Sequence, residues 1–66
     1  MTAYNPEKLK SIREKRGLTV YDLAIKMNKS RQQVQQWENG TRIPNAKSLA
    51  GLCDALNVFP HDLFNV

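Results

Sequence analysis

The chain has 66 residues, 41% of them hydrophobic and 24% charged. That suits one small domain, expected to span residues 1–66. Ten Lys and Arg against six Asp and Glu leave a net charge of +4, a modest excess that favours a nucleic-acid partner but does not by itself establish one. The lone Cys53 excludes an intrachain disulfide, and one Cys with one His cannot fill a tetrahedral metal site. No apolar run approaches the roughly 20 residues that cross a bilayer, and "MTAYNPEKLK" lacks a signal-peptide pattern. A soluble, cytoplasmic protein with no cofactor and no membrane partner is expected.

The punctuation of the chain predicts an all-α fold of five helices with no strand. Asn5 before Pro6 is an N-cap followed by proline at the first helical position. Leu9 and Ile12 give that helix an apolar side, and Gly17 ends it, so it runs over about 6–16. Thr19 and Asp22 are spaced nearly as a capping box, with Leu18 and Leu23 at the positions of a hydrophobic staple. Leu23, Ala24 and Met27 then mark a helix over about 20–27, which Asn28 closes in the left-handed conformation.

Only Lys29 separates Asn28 from the next cap. Ser30 with Gln33 is a second capping box, and Asn39-Gly40 is a stop, so the third helix covers about 31–38. Two short helices joined this tightly cross steeply, as a helix-turn-helix does. Pro44 keeps "TRIPN" out of helix, and Asn45 caps a fourth helix over about 46–56. Its apolar side is Leu49, Leu52, Cys53 and Leu56, and Asn57 ends it. Pro60 starts the fifth, a single turn over about 60–64.

The third helix holds every glutamine of the chain: Gln32, Gln33, Gln35 and Gln36. On a 100° wheel Val34 and Trp37 share one side, with Gln32, Gln35 and Gln36 opposite and Arg31 and Gln33 flanking. Glutamine is a fair helix former, so the cluster alone would fit a solvated face. Solvated faces usually carry paired Glu and Lys, however, and this one carries neither. Glutamine pairs bidentately with adenine and arginine with guanine in the major groove, each good pair discriminating by roughly 1–3 kcal/mol.

A spaced set of motifs runs in order along the chain: "RGLT", "LA", Ser30, "WENG", R-x-P, "AL" followed by Val58, and "LF". Over about residues 8–64 it resembles the Cro/C1-type helix-turn-helix family, also called the XRE family. Members include phage repressors, Cro proteins, antitoxins and controller proteins of restriction systems. The resemblance implies a compact, five-helix, lambda-repressor-like domain that binds double-stranded operator DNA as a homodimer. It implies base contacts from Arg31, Gln32 and Gln36, with Gln33 and Gln35 as second-rank candidates. Phosphate contacts are implied for Thr19, Ser30, Asn39 and Arg42; charge and position add Lys29. Phosphate contacts set register and base contacts set sequence. Arg13 and Glu38 resemble the family's structural ion pair. Val20 departs from the pattern, standing where a phosphate-binding Gln is common, so that side-chain anchor is missing.

Together these features predict a sequence-specific transcriptional regulator, expected to be a repressor on a palindromic operator. The competing expectation is an antitoxin or partner-binding module, which a toxin-like reading frame beside the gene would favour. An enzyme is not expected, because the sequence has no nucleophile–base set, metal cluster or phosphate loop. Cys53 and Trp37 read as core, and His61 as a surface residue.

Overall fold

The computed structural model describes residues 3–65; residues 1, 2 and 66 of the expected domain span lie outside them. In chain order the elements are a short strand β1 (Ala3–Tyr4) and four helices, α1 (Pro6–Lys15), α2 (Val20–Met27), α3 (Arg31–Asn39) and α4 (Ala46–Leu56). A 3-10 turn (Pro60–Leu63) and a second strand β2 (Phe64–Asn65) follow.

Local side-chain chemistry sets each helix start. Asn5 Oδ1 accepts from the Glu7 N–H at 3.0 Å. Thr19 and Asp22 exchange reciprocal bonds of 2.9 and 3.0 Å, and Ser30 and Gln33 do the same, both at 3.2 Å. Asn45 Oδ1 takes the Ser48 N–H at 2.8 Å. Each bond satisfies one of the N–H groups that a helix start leaves without an intrahelical partner. The stops are equally local. Asn28 and Asn57 lie in the left-handed region at φ 55° and 57°, and Gly40 at φ 81°. A side chain at Gly40 would meet strain there and would also press on Pro6 Cγ at 3.3 Å.

The five-helix, strand-free expectation is corrected here. Residues after Pro60 make one 3-10 turn, held by the Asp62 N–H on the Phe59 carbonyl at 2.9 Å. Asp62 Oδ2 accepts the Phe59 N–H at 2.9 Å, so a cap forms although Phe59 itself has no polar side chain. Phe64 is extended rather than helical, because β2 pairs antiparallel with β1, Ala3 opposite Asn65 and Tyr4 opposite Phe64. Two-residue strands are too short to show an alternating pattern, so only the fold reveals them.

The core gathers Leu9 from α1, Leu23 and Ala24 from α2, Val34 and Trp37 from α3, Leu52, Cys53 and Leu56 from α4, and Leu63 from the 3-10 turn. Every helix therefore contributes its apolar stripe, and α3 packs on both α1 and α2. With so few apolar residues α3 would be marginal alone; Val34 and Trp37 seat it. Among the described residues no helix is long and apolar enough to cross a membrane.

Candidate nucleic-acid interface

The inward side of α3 is fixed by more than its two apolar residues. Glu38 accepts two bonds from Arg13 of α1, from Nε and from Nη2, the latter at 3.0 Å. Arg13 Nη1 donates to the Leu18 carbonyl at 2.7 Å. The two side chains are only 9% and 8% exposed, so their charges must be met within the fold. The hydrogen bond to Glu38 is the main cause that holds the Arg13 pKa above its ordinary value, with burial pulling the other way. Glu38 thus spends both carboxylate oxygens on α1.

Near the C-terminal end of α3, the Tyr4 hydroxyl donates to the Trp37 carbonyl at 2.7 Å. The Arg42 N–H meets the Gln36 carbonyl at 3.2 Å. These are carbonyls of the last turn, which a helix cannot satisfy internally. Burial, and secondly the charge of Glu38, push the Tyr4 phenol pKa well up, so it stays a neutral donor far into the alkaline range.

The outward side is polar. Arg31, Gln32, Gln33 and Gln35 are exposed, and Gln36 is half-buried. Gln33, Gln36, Arg42 and Ile43 line one shallow groove beside Trp37. The fold therefore brings the loop residue Arg42 next to the glutamine cluster. Gln33 is partly committed, since its Oε1 serves the cap at Ser30 and leaves its amide NH2 to donate. Gln32 and Gln35 have no such commitment among the described residues.

Thr19, Lys29, Ser30, Asn39 and Arg42 are all exposed. Thr19 and Ser30 use their oxygens as caps. The Thr19 hydroxyl hydrogen is left for an outside acceptor, whereas the Ser30 hydroxyl also leans on Gln33 Oε1 at 3.4 Å and would turn from it to meet one. Asn39 Oδ1 accepts the Thr41 N–H at 2.9 Å, so its amide NH2 is what it can offer. Asp22 is the one carboxylate at this side of α2; Thr19 backbone and side-chain bonds hold its pKa below the usual range. Val20 packs against the core instead of projecting. Its valine thus serves α2 seating.

Tyr21 and Ile43 were given no contact role by the sequence. Tyr21 is 56% exposed, and its ring faces the Arg31 guanidinium at 5.8 Å. Ile43 is 70% exposed beside Arg42. The signal for Tyr21 was an aromatic in the first turn of one capped helix, near an arginine opening the next. Phe59 is exposed and stacks on His61 at 5.7 Å, away from the α3 groove residues.

The helix-turn-helix family matches the sequence over residues 9–63. No curated protein matches it. Among solved structures, the restriction-modification controller protein C.AhdI from Aeromonas hydrophila is 28% identical with a TM-score of 0.83, covering 88% of each chain. The clp gene regulator ClgR from C. glutamicum is 28% identical with a TM-score of 0.80, covering 88% of this chain and 75% of its own. SinR, the master regulator for biofilm formation, solved in complex with DNA, shares the fold at 22% identity with a TM-score of 0.81; the match covers 88% of this chain and 97% of SinR. Motifs, fold and family match agree: the chain belongs to the Cro/C1-type, or XRE, helix-turn-helix family of DNA-binding transcription regulators.

Proposed function

We propose that this chain is a sequence-specific repressor that binds a palindromic operator as a homodimer, with α3 in the major groove. One observation carries the reading. Val34, Trp37 and Glu38 are all spent inward, while Gln32, Gln35 and Gln36 stand on the other side of the same helix and Arg31 is exposed at its start. Those outward groups match the donor and acceptor pattern of purine edges. In this reading Arg31, Gln32 and Gln36 read bases, and Gln33 and Gln35 assist. Thr19, Lys29, Ser30, Asn39 and Arg42 grip phosphates. Two copies would meet half-sites about 34–36 Å apart. Support also comes from the likeness to a restriction-modification controller and a gene regulator, each 28% identical.

Selection of duplexes from a random pool tests this. A palindromic motif is expected, and equal binding to every sequence would remove the base-reading claim. In the same assay Gln32→Ala should relax preference at one base position by roughly 1–3 kcal/mol, while Arg42→Ala should weaken all duplexes alike. Uniform weakening by both variants would show the roles to be wrongly assigned.

A further inference from the structure

We propose that Tyr21 is a positioning residue for Arg31: its ring holds the guanidinium at the start of α3, and so sets how sharply one base pair is discriminated. The proposal rests on the reading of Arg31 as a base-contacting residue, and adds a side chain that reaches the base only through it.

The backbone under both residues is fixed. Tyr21 is the second residue of α2 and Arg31 the first of α3, and each helix start is locked by its own reciprocal cap. The turn between them is closed by Asn28 in the left-handed conformation, with the Lys29 N–H on the Ala24 carbonyl at 2.9 Å. What remains free is side-chain torsion. Arginine has much of it, and an arginine that orders only on meeting DNA loses that freedom on binding.

The ring offers an alternative. Arg31 Cζ lies 5.8 Å from the Tyr21 centroid, within the range of cation–π attraction. Among the described residues neither ion pair involves Arg31, so no carboxylate competes for it. A planar guanidinium can meet a ring through its face. Its N–H donors lie in the plane and stay available for the two acceptors of a guanine edge. A tyrosine ring has few torsions of its own, so it is a comparatively stiff support. At 56% exposure Tyr21 is not part of the buried core, so its removal leaves the core intact.

The test uses the full chain and four proteins: wild type, Arg31→Ala, Tyr21→Phe and Tyr21→Leu. Each is titrated against the wild-type-selected duplex and its single base-pair variants. Arg31→Ala should flatten the preference at one position. Tyr21→Leu should lower discrimination at that same position by about two- to five-fold, the scale of an exposed cation–π contact. Tyr21→Phe should keep it, because the ring remains. In the free protein, the Arg31 δ-methylene proton signals should be shifted upfield in wild type and Tyr21→Phe but not in Tyr21→Leu.

Unchanged discrimination in Tyr21→Leu overturns the proposal. So does equal weakening of all duplexes by the Phe and Leu variants, which would assign the hydroxyl to a phosphate. Proton signals that are the same in wild type and Tyr21→Leu would show that no stack exists. If Arg31→Ala alters no base position, the base-reading role of Arg31 fails and the proposal with it, while the proton signals still report the stack separately.

Discussion

Arg13 and Glu38 stand 25 positions apart in sequence and share two hydrogen bonds in the fold. Taking two charges out of water is costly, and their attraction offsets that only where geometry and extra bonds are good. Here Arg13 has a third acceptor in the Leu18 carbonyl, and among the described residues no buried side-chain polar atom lacks a partner. Removing one member therefore strands the other. Glu38→Ala is expected to destabilise the protein by about 3–5 kcal/mol in urea unfolding. Replacing both residues with apolar ones of similar size should recover most of that loss. A small effect of Glu38→Ala would mean that water reaches Arg13 easily. The pair was legible only through the family resemblance, since no local spacing links residues so far apart. The approach of Arg31 to the Tyr21 ring was not legible at all, because it depends on how α2 and α3 cross. Caps needed neither aid: Thr19–Asp22 and Ser30–Gln33 act within four residues, and the sequence shows all four partners.

At the scale of elements, the end of α3 depends on the far end of the chain. The Tyr4 hydroxyl on the Trp37 carbonyl ties β1 to α3, and β1 is itself held by β2. Lys8 Nζ donates to the Phe64 carbonyl at 2.8 Å, and the Asn5 N–H to the Leu63 carbonyl at 2.8 Å, adding α1 to the same junction. Loss of the hydroxyl in Tyr4→Phe should cost on the order of 1–3 kcal/mol, the penalty for leaving a largely buried carbonyl unpaired. The same bond predicts a pH dependence. The folded pKa of Tyr4 is raised, so its contribution is complete below the unfolded value of about 10 and is lost as pH climbs toward the folded value. Burial also raises the Cys53 thiol, which acts in the same direction. Thermal unfolding of wild type should therefore weaken above about pH 10 more steeply than that of Tyr4→Phe. Parallel curves would show that Tyr4 plays no part. This junction explains why the chain after Pro60 forms a 3-10 turn and a strand instead of the expected fifth helix. Pro60 and the apolar pair Leu63–Phe64 look helical in sequence, yet Phe64 is drawn into extended pairing by a strand 60 residues away.

Across the whole molecule the charge is not gathered at one pole. Lys29, Arg31 and Arg42 belong to the α2–α3 side, whereas Lys8, Lys15 and Arg16 line a cleft between α1 and the 3-10 turn. The net charge of +4 is thus a poor guide to DNA affinity. What sets salt dependence is the number of phosphates neutralised, because each contact releases condensed counterions. The logarithm of affinity should fall linearly with the logarithm of salt, with a slope of about −0.9 for each phosphate contacted. Arg42→Ala should make that slope shallower by about 0.9 for each copy bound. On a two-copy site the change doubles. Lys15→Ala removes the same unit of charge from the cleft side and should leave the slope unchanged. Titrations of one selected duplex at several salt concentrations separate the two cases. If Lys15→Ala flattens the slope as much as Arg42→Ala, the protein attracts DNA as a diffuse cation. The phosphate assignment of Arg42 would then fall, whatever the glutamines read.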